Sequence, residues 1–149
     1  MPSQYSNRRS HDQGDGITID TSAIRFGPKI SATLFSDIAE DCARVVSQAG
    51  RDVNRGTQLR RFYDEIVRLQ GKVGGSAEKF EAQQPFVQML KAKVAYAKGR
   101  KKVDENYNKL LRDVVDRVTD PATLSQAKLF MEAFMAYYKL YDPENQKQR

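Results

Sequence analysis

One segment decides the fold of this chain: DPATLSQAKLFMEAFMAYYKLY, residues 120–141. Asp120 can cap a helix with its carboxylate, and Pro121 suits the first helical position because its missing N–H would have no partner there. Apolar side chains then recur every three or four residues, so they share one face of a helix. That face holds Leu124, Ala127, Phe130, Met131, Phe134, Tyr138 and Tyr141. Since Pro143 stops the pattern, we predict one amphipathic helix from Pro121 to about Tyr141.

Four more helical patterns lie upstream of this segment. They cover residues 33–49, residues 57–70, a stretch that starts between 77 and 85 and reaches 98, and residues 103–118. In the second pattern the Thr57 hydroxyl can cap the first turn, and Gly71 opens a flexible connection to Ser76. No segment of comparable length alternates apolar and polar residues with a period of two. The sequence therefore predicts an all-α fold, a compact bundle of about five helices.

The first thirty residues differ in composition from the rest. Residues 1–30 are rich in Ser, Asn, Gln, Asp and Gly and hold few large apolar side chains, so burial cannot offset the entropy lost on ordering. We predict a mobile, polar N-terminal arm there and a single helical-bundle domain over residues 31–149. Within the arm, four apolar residues could form a short docked piece. They are Ile17, Ile19, Ile24 and Phe26.

The sequence lacks the patterns of catalytic and metal sites. The only histidine, His11, falls in the arm, which argues against Ser-His-Asp and Cys-His arrangements and histidine-rich metal sites. Cys42 is the only cysteine, and its place on an apolar helix face is typical of a buried hydrophobic residue. The glycine-rich residues 71–76 lack the Gly-Lys-Ser/Thr order of a phosphate-binding loop. We therefore expect no enzymatic activity, no metal and no cofactor.

The charge balance favours an anionic partner. The net charge is +6 and the isoelectric point is near 9.5, which promotes association with nucleic acid or another polyanion. The sequence has no run of eighteen apolar residues, and its N-terminus is polar, so we expect neither a membrane span nor a secretory signal. These features predict a cytoplasmic protein that does not contact a membrane.

Six of the basic residues crowd one segment, LKAKVAYAKGRKK, residues 90–102. On a helical wheel the apolar face holds Phe86, Leu90, Val94 and Ala97. One flank of that face carries Lys91, Lys98 and Lys102, and the other carries Lys93 and Arg100. The helix could thus pack into the core and present cations beside it. The alternative is that the cations compensate the negative end of the helix dipole, with Gly99 as the C-cap.

The tyrosines divide in a similar way. Tyr138 and Tyr141 lie within the apolar stripe of the last helix, which indicates packing. Tyr96 lies away from the apolar face of its helix and beside Lys93 and Arg100. It is the one tyrosine for which stacking on an unpaired base is a candidate role.

Three motifs together resemble a known family. They are Thr57-Gln-Leu-Arg-Arg-Phe-Tyr63, Leu90-Lys-Ala-Lys-Val-Ala-Tyr-Ala-Lys-Gly-Arg100 and Phe130-Met-Glu-Ala-Phe-Met-Ala-Tyr-Tyr-Lys-Leu-Tyr141. Their order and spacing resemble the small subunit of type III-A CRISPR effector complexes, the Csm complexes, over roughly residues 55–141. One departure is Tyr138, where the resemblance leads us to expect histidine.

The resemblance implies a non-catalytic structural subunit. Such subunits are small helical proteins that assemble in several copies beside the filament of backbone subunits holding the guide RNA, and they line the channel of the target RNA. The implied partners are guide RNA, target RNA, the other Csm subunits and further copies of this chain. Base pairing supplies specificity, so the implied contacts are sequence-independent contacts to phosphate.

The resemblance also indicates which cations bind RNA. The expected set is Arg60, Arg61, Lys91, Lys93, Lys98, Arg100 and Lys101, with Lys102 as a further candidate. Arg61 has an alternative role, since Asp64 and Glu65 could pair with it. Candidate contacts with other copies or the backbone subunit are Met89, Met131, Met135 and Tyr137. The alternative function is a basic helical adaptor between proteins that does not contact RNA.

Overall fold

The structure, a computed structural model, describes residues 16–147, with side chains described through residue 145. A π-helical turn, Leu34–Ile38, continues directly into the first α-helix. The helices are α1 (Ala39–Ser47), α2 (Gly56–Val73), α3 (Ala77–Gly99), α4 (Glu105–Asp116), α5 (Pro121–Tyr141) and the short α6 (Pro143–Lys147). All regular elements of the described residues are helical, so the predicted all-α bundle is confirmed. The prediction of mobility for residues 1–15 lies outside the described residues.

The five longer helices surround one core. Helix α5 packs against α1 and α2, α3 packs against α2 and α4, and contacts between α1 and α4 close the ring. A chain of aromatic contacts runs through the centre, from Phe62 to Tyr107, Phe134 and Tyr138, with ring centroids 5.7–6.0 Å apart. Because α3 lies between α2 and α4, its two flanks face two different helices.

The boundaries of α2 differ from the prediction at both ends. The helix begins at Gly56 with Arg55 in the N-cap position, and no side chain caps it, so the predicted Thr57 cap is wrong. The helix also continues through Gly71 to Val73, because burial of the Val73 side chain in the core stabilises the additional residues. Gly74 then ends the helix with a positive φ of 55°, which glycine adopts without steric cost.

Helix α3 begins at the early limit of the predicted range. The Ser76 side chain caps it by accepting a hydrogen bond from the Lys79 N–H at 3.1 Å, so Pro85 lies inside the helix. Phe86 was predicted on the packing face, but it is 53% exposed and Val87 is buried instead. The reason is that consecutive helical residues are 100° apart, and the core meets α3 on the Val87 side.

The starts of α4 and α5 show strong capping. The Asp104 carboxylate accepts the Tyr107 N–H at 3.0 Å at the start of α4. At the start of α5, Asp120 accepts the Thr123 N–H at 2.8 Å, while the Thr123 hydroxyl accepts the Asp120 N–H. The predicted Asp120 cap with Pro121 in the first helical position is confirmed, and Thr123 completes a capping box.

The later part of the predicted arm is packed on the bundle. Ile19 and Ile24 are buried, and Phe26 meets the Phe130 ring edge-on at 6.4 Å, whereas Ile17 is 54% exposed. Polar clamps hold the same stretch: the Asn106 side chain bonds the backbone of residues 17 and 19, and the Gln126 side chain bonds that of residue 27. The expected docked piece therefore exists and covers at least residues 19–26.

Candidate nucleic-acid interface

One flank of α3 is joined to α4 by ion pairs. The Lys91 Nζ lies 2.5 Å from the Asp116 Oδ1, and the Lys98 Nζ lies 2.8 Å from the Glu105 Oε1. The hydrogen bond from Lys98 is the main cause that lowers the pKa of Glu105 below its usual value. We call Lys91 and Lys98 the paired flank, because their charges are already balanced by carboxylates of the neighbouring helix.

The opposite flank of α3 borders a groove of about 530 Å³ between α2 and α3. The α2–α3 groove is lined by Gln58, Arg61, Phe62, Glu65, Leu90, Lys93, Tyr96, Ala97, Arg100 and Lys102. Four of these residues are cations and one is a carboxylate. We call Arg61, Lys93, Arg100 and Lys102 the groove cations.

The groove cations are mostly free of ion pairs. Glu65, the carboxylate of the groove, is bound by Arg68 at 2.5 Å and lies 3.5 Å from the Lys93 Nζ. The hydrogen bond from Arg68 is the main cause that lowers the pKa of Glu65, and the charge of Lys93 adds to it. In the described part of the chain, Arg61, Arg100 and Lys102 have no carboxylate within 4.0 Å. The groove thus carries an uncompensated positive charge.

Arg60 and Arg61 are adjacent in sequence, but only Arg61 reaches the α2–α3 groove. The Arg60 Nε lies 3.2 Å from the Asp64 Oδ1, and its guanidinium lies 5.6 Å from the centre of the Tyr63 ring. Arg60 lines a cleft between α2 and α5 and does not line the α2–α3 groove, whereas Arg61 lines both. Arg61 pairs with neither of the carboxylates considered from the sequence, because Arg60 and Arg68 hold them.

The turn after α3 places Lys101 in an unusual backbone conformation. The helix ends at Gly99, but the residue with left-handed backbone is Lys101, with φ 62°, so the predicted Gly99 C-cap is wrong. The Lys102 N–H bonds the Ala97 carbonyl and the Lys101 N–H bonds the Lys98 carbonyl, both at 2.9 Å. This pattern is a Schellman motif, in which the left-handed residue comes two positions after Gly99 and is a lysine where glycine is usual. Lys101 is exposed but does not line the groove.

Asn54 fixes this turn against the rest of the bundle. Its side chain accepts the Asp104 N–H at 2.9 Å and donates to the Asp104 carboxylate at 2.9 Å and to the Val46 carbonyl at 3.1 Å. Its backbone N–H bonds the Lys102 carbonyl at 3.0 Å. Asn54 is 1% exposed with φ 57°, a left-handed conformation that asparagine tolerates better than most residues. Asn54 was not among the predicted residues, although an asparagine just before Arg-Gly in a helix connection is a turn signal.

The amino-acid sequence matches the model of a known protein family. The sequence model of the family described as Csm2 Type III-A matches residues 29–144. The chain belongs to this family. It is therefore a structural subunit of the type III-A complex and associates with other Csm subunits. No curated protein and no solved structure is significantly similar to the chain.

Tyr138, which departs from the expected family motif, contacts Asn54 and helps to hold the same turn. The Tyr138 ring is buried and stacks on Phe134 with centroids 5.7 Å apart, and its hydroxyl donates a hydrogen bond to the Asn54 carbonyl. Burial raises the pKa of Tyr138 well above its usual value, so the phenol is neutral. The tyrosine therefore packs in the core and also helps to hold the turn that carries Lys102.

The residues proposed for contacts with other subunits are not equally accessible. Met131 is fully buried in the core, so it cannot make such a contact, and its place in the prediction was wrong. Met135 and Tyr137 are half-buried, whereas Met89 is 52% exposed. The burial of Met131 agrees with its predicted place on the apolar face of α5, which packs against both α1 and α2.

The described residues include neither a reactive cysteine nor a cluster that could bind a metal ion. Cys42 is buried, and burial raises the pKa of its thiol to about 12, so it remains protonated at neutral pH. Within residues 16–147 no cluster of acidic, cysteine or histidine side chains could hold a metal ion, and none of the helices described there could span a membrane. His11 lies outside the described residues.

Proposed function

We propose that this Csm2-family chain is a non-catalytic, cytoplasmic subunit that binds the guide RNA and target RNA through the α2–α3 groove. The observation that carries the proposal is the segregation of charge on α3. The groove cations converge from two helices and a turn, and only Lys93 has an acidic neighbour within 4.0 Å in the described chain. The paired flank is balanced by α4.

This arrangement suits phosphate better than a base edge. Arginine and lysine neutralise phosphates and release counterions, which makes affinity depend steeply on salt but only weakly on sequence. A subunit of a guide-directed complex does not need to read sequence, because pairing between guide and target supplies specificity. Of the cations expected to bind RNA, we therefore assign Arg61, Lys93 and Arg100 to the RNA contact and add Lys102, the further candidate. Lys91 and Lys98 are assigned to the ion pairs between α3 and α4. Arg60 and Lys101 lie outside the groove.

The test compares two double variants that each remove two positive charges. Arg61→Gln with Lys93→Gln alters the groove, and Lys91→Gln with Lys98→Gln alters the paired flank. Binding of a single-stranded RNA of unrelated sequence is measured by fluorescence anisotropy between 50 and 300 mM salt. For the groove variant we expect the slope of log affinity against log salt to shrink by about 1.4, which is roughly 0.7 for each lost phosphate contact. The paired-flank variant should keep the wild-type slope.

Two results would overturn the proposal. One is the absence of RNA binding by the wild-type protein at 50 mM salt. The other is a groove variant that loses no more affinity than the paired-flank variant, either because it binds normally or because net charge alone explains the loss.

A protein adaptor that does not contact RNA is the second candidate, favoured by the exposure of two apolar residues on α3. Phe86 is 53% and Met89 is 52% exposed. The adaptor predicts that the groove variant still co-purifies with the other Csm subunits and supports target RNA binding by the complex as well as the wild type. The RNA-binding proposal predicts a complex that assembles but holds target RNA more weakly.

A further inference from the structure

Tyr96 differs from the other tyrosines of the described chain. It is 66% exposed, whereas Tyr107 and Tyr138 are buried and the remaining described tyrosines are half-buried. It lines the α2–α3 groove between two groove cations, Lys93 one turn before it and Arg100 one turn after it. A large aromatic ring exposed at this place contributes little to the core, so packing does not explain it.

Arg100 orders the ring and leaves most of it open. The Arg100 guanidinium carbon lies 5.8 Å from the ring centre, and its Nη1 donates to the Tyr96 hydroxyl at 3.4 Å. The positions one turn away on the exposed side are small: Ala92 and Gly99 are both exposed, and a Cβ added at Gly99 would meet nothing within 4 Å. A planar group can therefore approach the ring from the side of Ala92 and Gly99, away from Arg100.

We propose that Tyr96, held by Arg100, is a stacking site for one unpaired nucleobase of the bound RNA. This inference rests on the proposed RNA-binding function and adds a second kind of contact to it. Bases within a duplex already stack on their neighbours, so only an unpaired base offers a free face. Aromatic stacking accepts any base, which agrees with a groove that does not read sequence.

The two kinds of contact respond differently to salt. Contacts between cations and phosphate release counterions, whereas a stacked ring releases none. Loss of the Tyr96 ring should therefore weaken binding by about the same factor at every salt concentration. Loss of a groove cation should weaken it most at low salt.

The experiment uses the full chain and three RNA probes of equal length: a single strand, the same strand in a perfect duplex, and a single strand whose internal sugars carry no bases. We expect Tyr96→Ala to bind the ordinary single strand about tenfold more weakly with an unchanged salt slope. Tyr96→Phe, which keeps the ring, should stay within about twofold of the wild type. The abasic strand and the duplex should not distinguish Tyr96→Ala from the wild type.

The matched control is Met89→Ala, since Met89 is exposed on the same side of α3 two turns away but does not line the groove. It should bind all probes as the wild type does.

The inference is overturned if Tyr96→Ala binds the single strand normally, or if it loses affinity for the duplex and abasic probes to the same extent. It is also overturned if the salt slope shrinks, because Tyr96 would then only position Arg100 against phosphate. Failure of the proposed function itself would appear separately, as normal binding by the Arg61→Gln, Lys93→Gln variant.

Discussion

The two flanks of α3 carry cations from the same short segment, yet they differ in what surrounds them. On the paired flank Lys91 and Lys98 end 2.5–2.8 Å from carboxylates of α4. On the groove flank Arg100 lies against Tyr96, and among the described residues only Lys93 has a carboxylate within 4.0 Å. A basic segment is therefore not one functional unit. Each cation must be assigned by the helix that faces it.

Loss of Asn54 should have the largest effect, because this residue supports the turn on the groove flank. Asn54→Ala removes one hydrogen bond to the Val46 carbonyl, leaves the Asp104 N–H without its side-chain partner and forces alanine into a left-handed conformation. We expect it to lower the free energy of unfolding by about 3 kcal/mol, measured by urea denaturation. Asn106→Ala, which removes an amide that clamps residues 17 and 19, is the control and should cost about 1 kcal/mol. Equal losses would show that Asn54 has no special role.

The turn after α3 holds Lys101 in a left-handed conformation, so a substitution there should raise the free energy of unfolding. Lys101→Gly should raise the free energy of unfolding by about 1 kcal/mol, because glycine adopts the left-handed conformation without steric cost. Lys102→Gly removes the same charge at a neighbouring residue whose φ is not positive, so it should not stabilise the protein. Lys102→Gly should also bind RNA more weakly than Lys101→Gly, because Lys102 lines the groove and Lys101 does not. If Lys101→Gly is destabilising, the turn is not strained.

Removal of one carboxylate on each flank tests whether only the groove flank contributes to RNA affinity. Glu65→Gln frees Lys93 and makes the α2–α3 groove more positive, so RNA affinity at low salt should rise about threefold, within the range that exposed ion pairs contribute. Glu105→Gln frees Lys98 on the paired flank. Anisotropy titrations should show no gain for Glu105→Gln. A similar gain in both variants would mean that overall charge, and not the groove, controls affinity.

The smallest expected effect is the acid dependence of the paired flank. The pKa of Glu105 is lower in the folded protein than its ordinary value of 4.5, chiefly through the hydrogen bond from Lys98. The carboxylate therefore adds stability above pH 4.5, and this contribution disappears as pH falls through the lowered pKa. Because the pair is exposed, Glu105→Gln should cost less than about 0.5 kcal/mol at pH 7 and nothing at pH 2. Thermal unfolding of both proteins across this range measures the difference.

Local signals explain which parts of the fold could be predicted. The start of α5 was correct because Asp120 and Pro121 act within one turn of the chain. The end of α2 was misplaced because burial of Val73 against other helices outweighed the glycine signal at Gly71. Phe86 was placed on the wrong face because periodicity gives the spacing of a stripe and not the direction of the neighbouring helices.

In the candidate site, too, local sequence predicted some features and the neighbouring helices determined the others. Spacing alone placed Lys93 and Arg100 on one flank of α3 and Lys91 and Lys98 on the other, since angles around a helix follow from residue number. The same reasoning placed Lys102 with Lys91 and Lys98, which is wrong because the helix ends at Gly99 and Lys102 lines the groove. It could not show that the first flank borders an open groove and the second meets carboxylates, because those neighbours come from α2 and α4. Asn54 was missed for the same reason, as its partners lie 8 to 84 residues away.

Sequence was sufficient for the helical class, the order of the helices, the basic character of α3 and membership of the Csm2 family, since these depend on periodicity, composition and motif order. The tertiary structure decided which cations remain unpaired, which arginine of the Arg60–Arg61 pair faces the groove, and where the turn after α3 is held. The physical reason is that charge pairing and burial depend on side chains from distant parts of the chain, and only packing brings those side chains into contact.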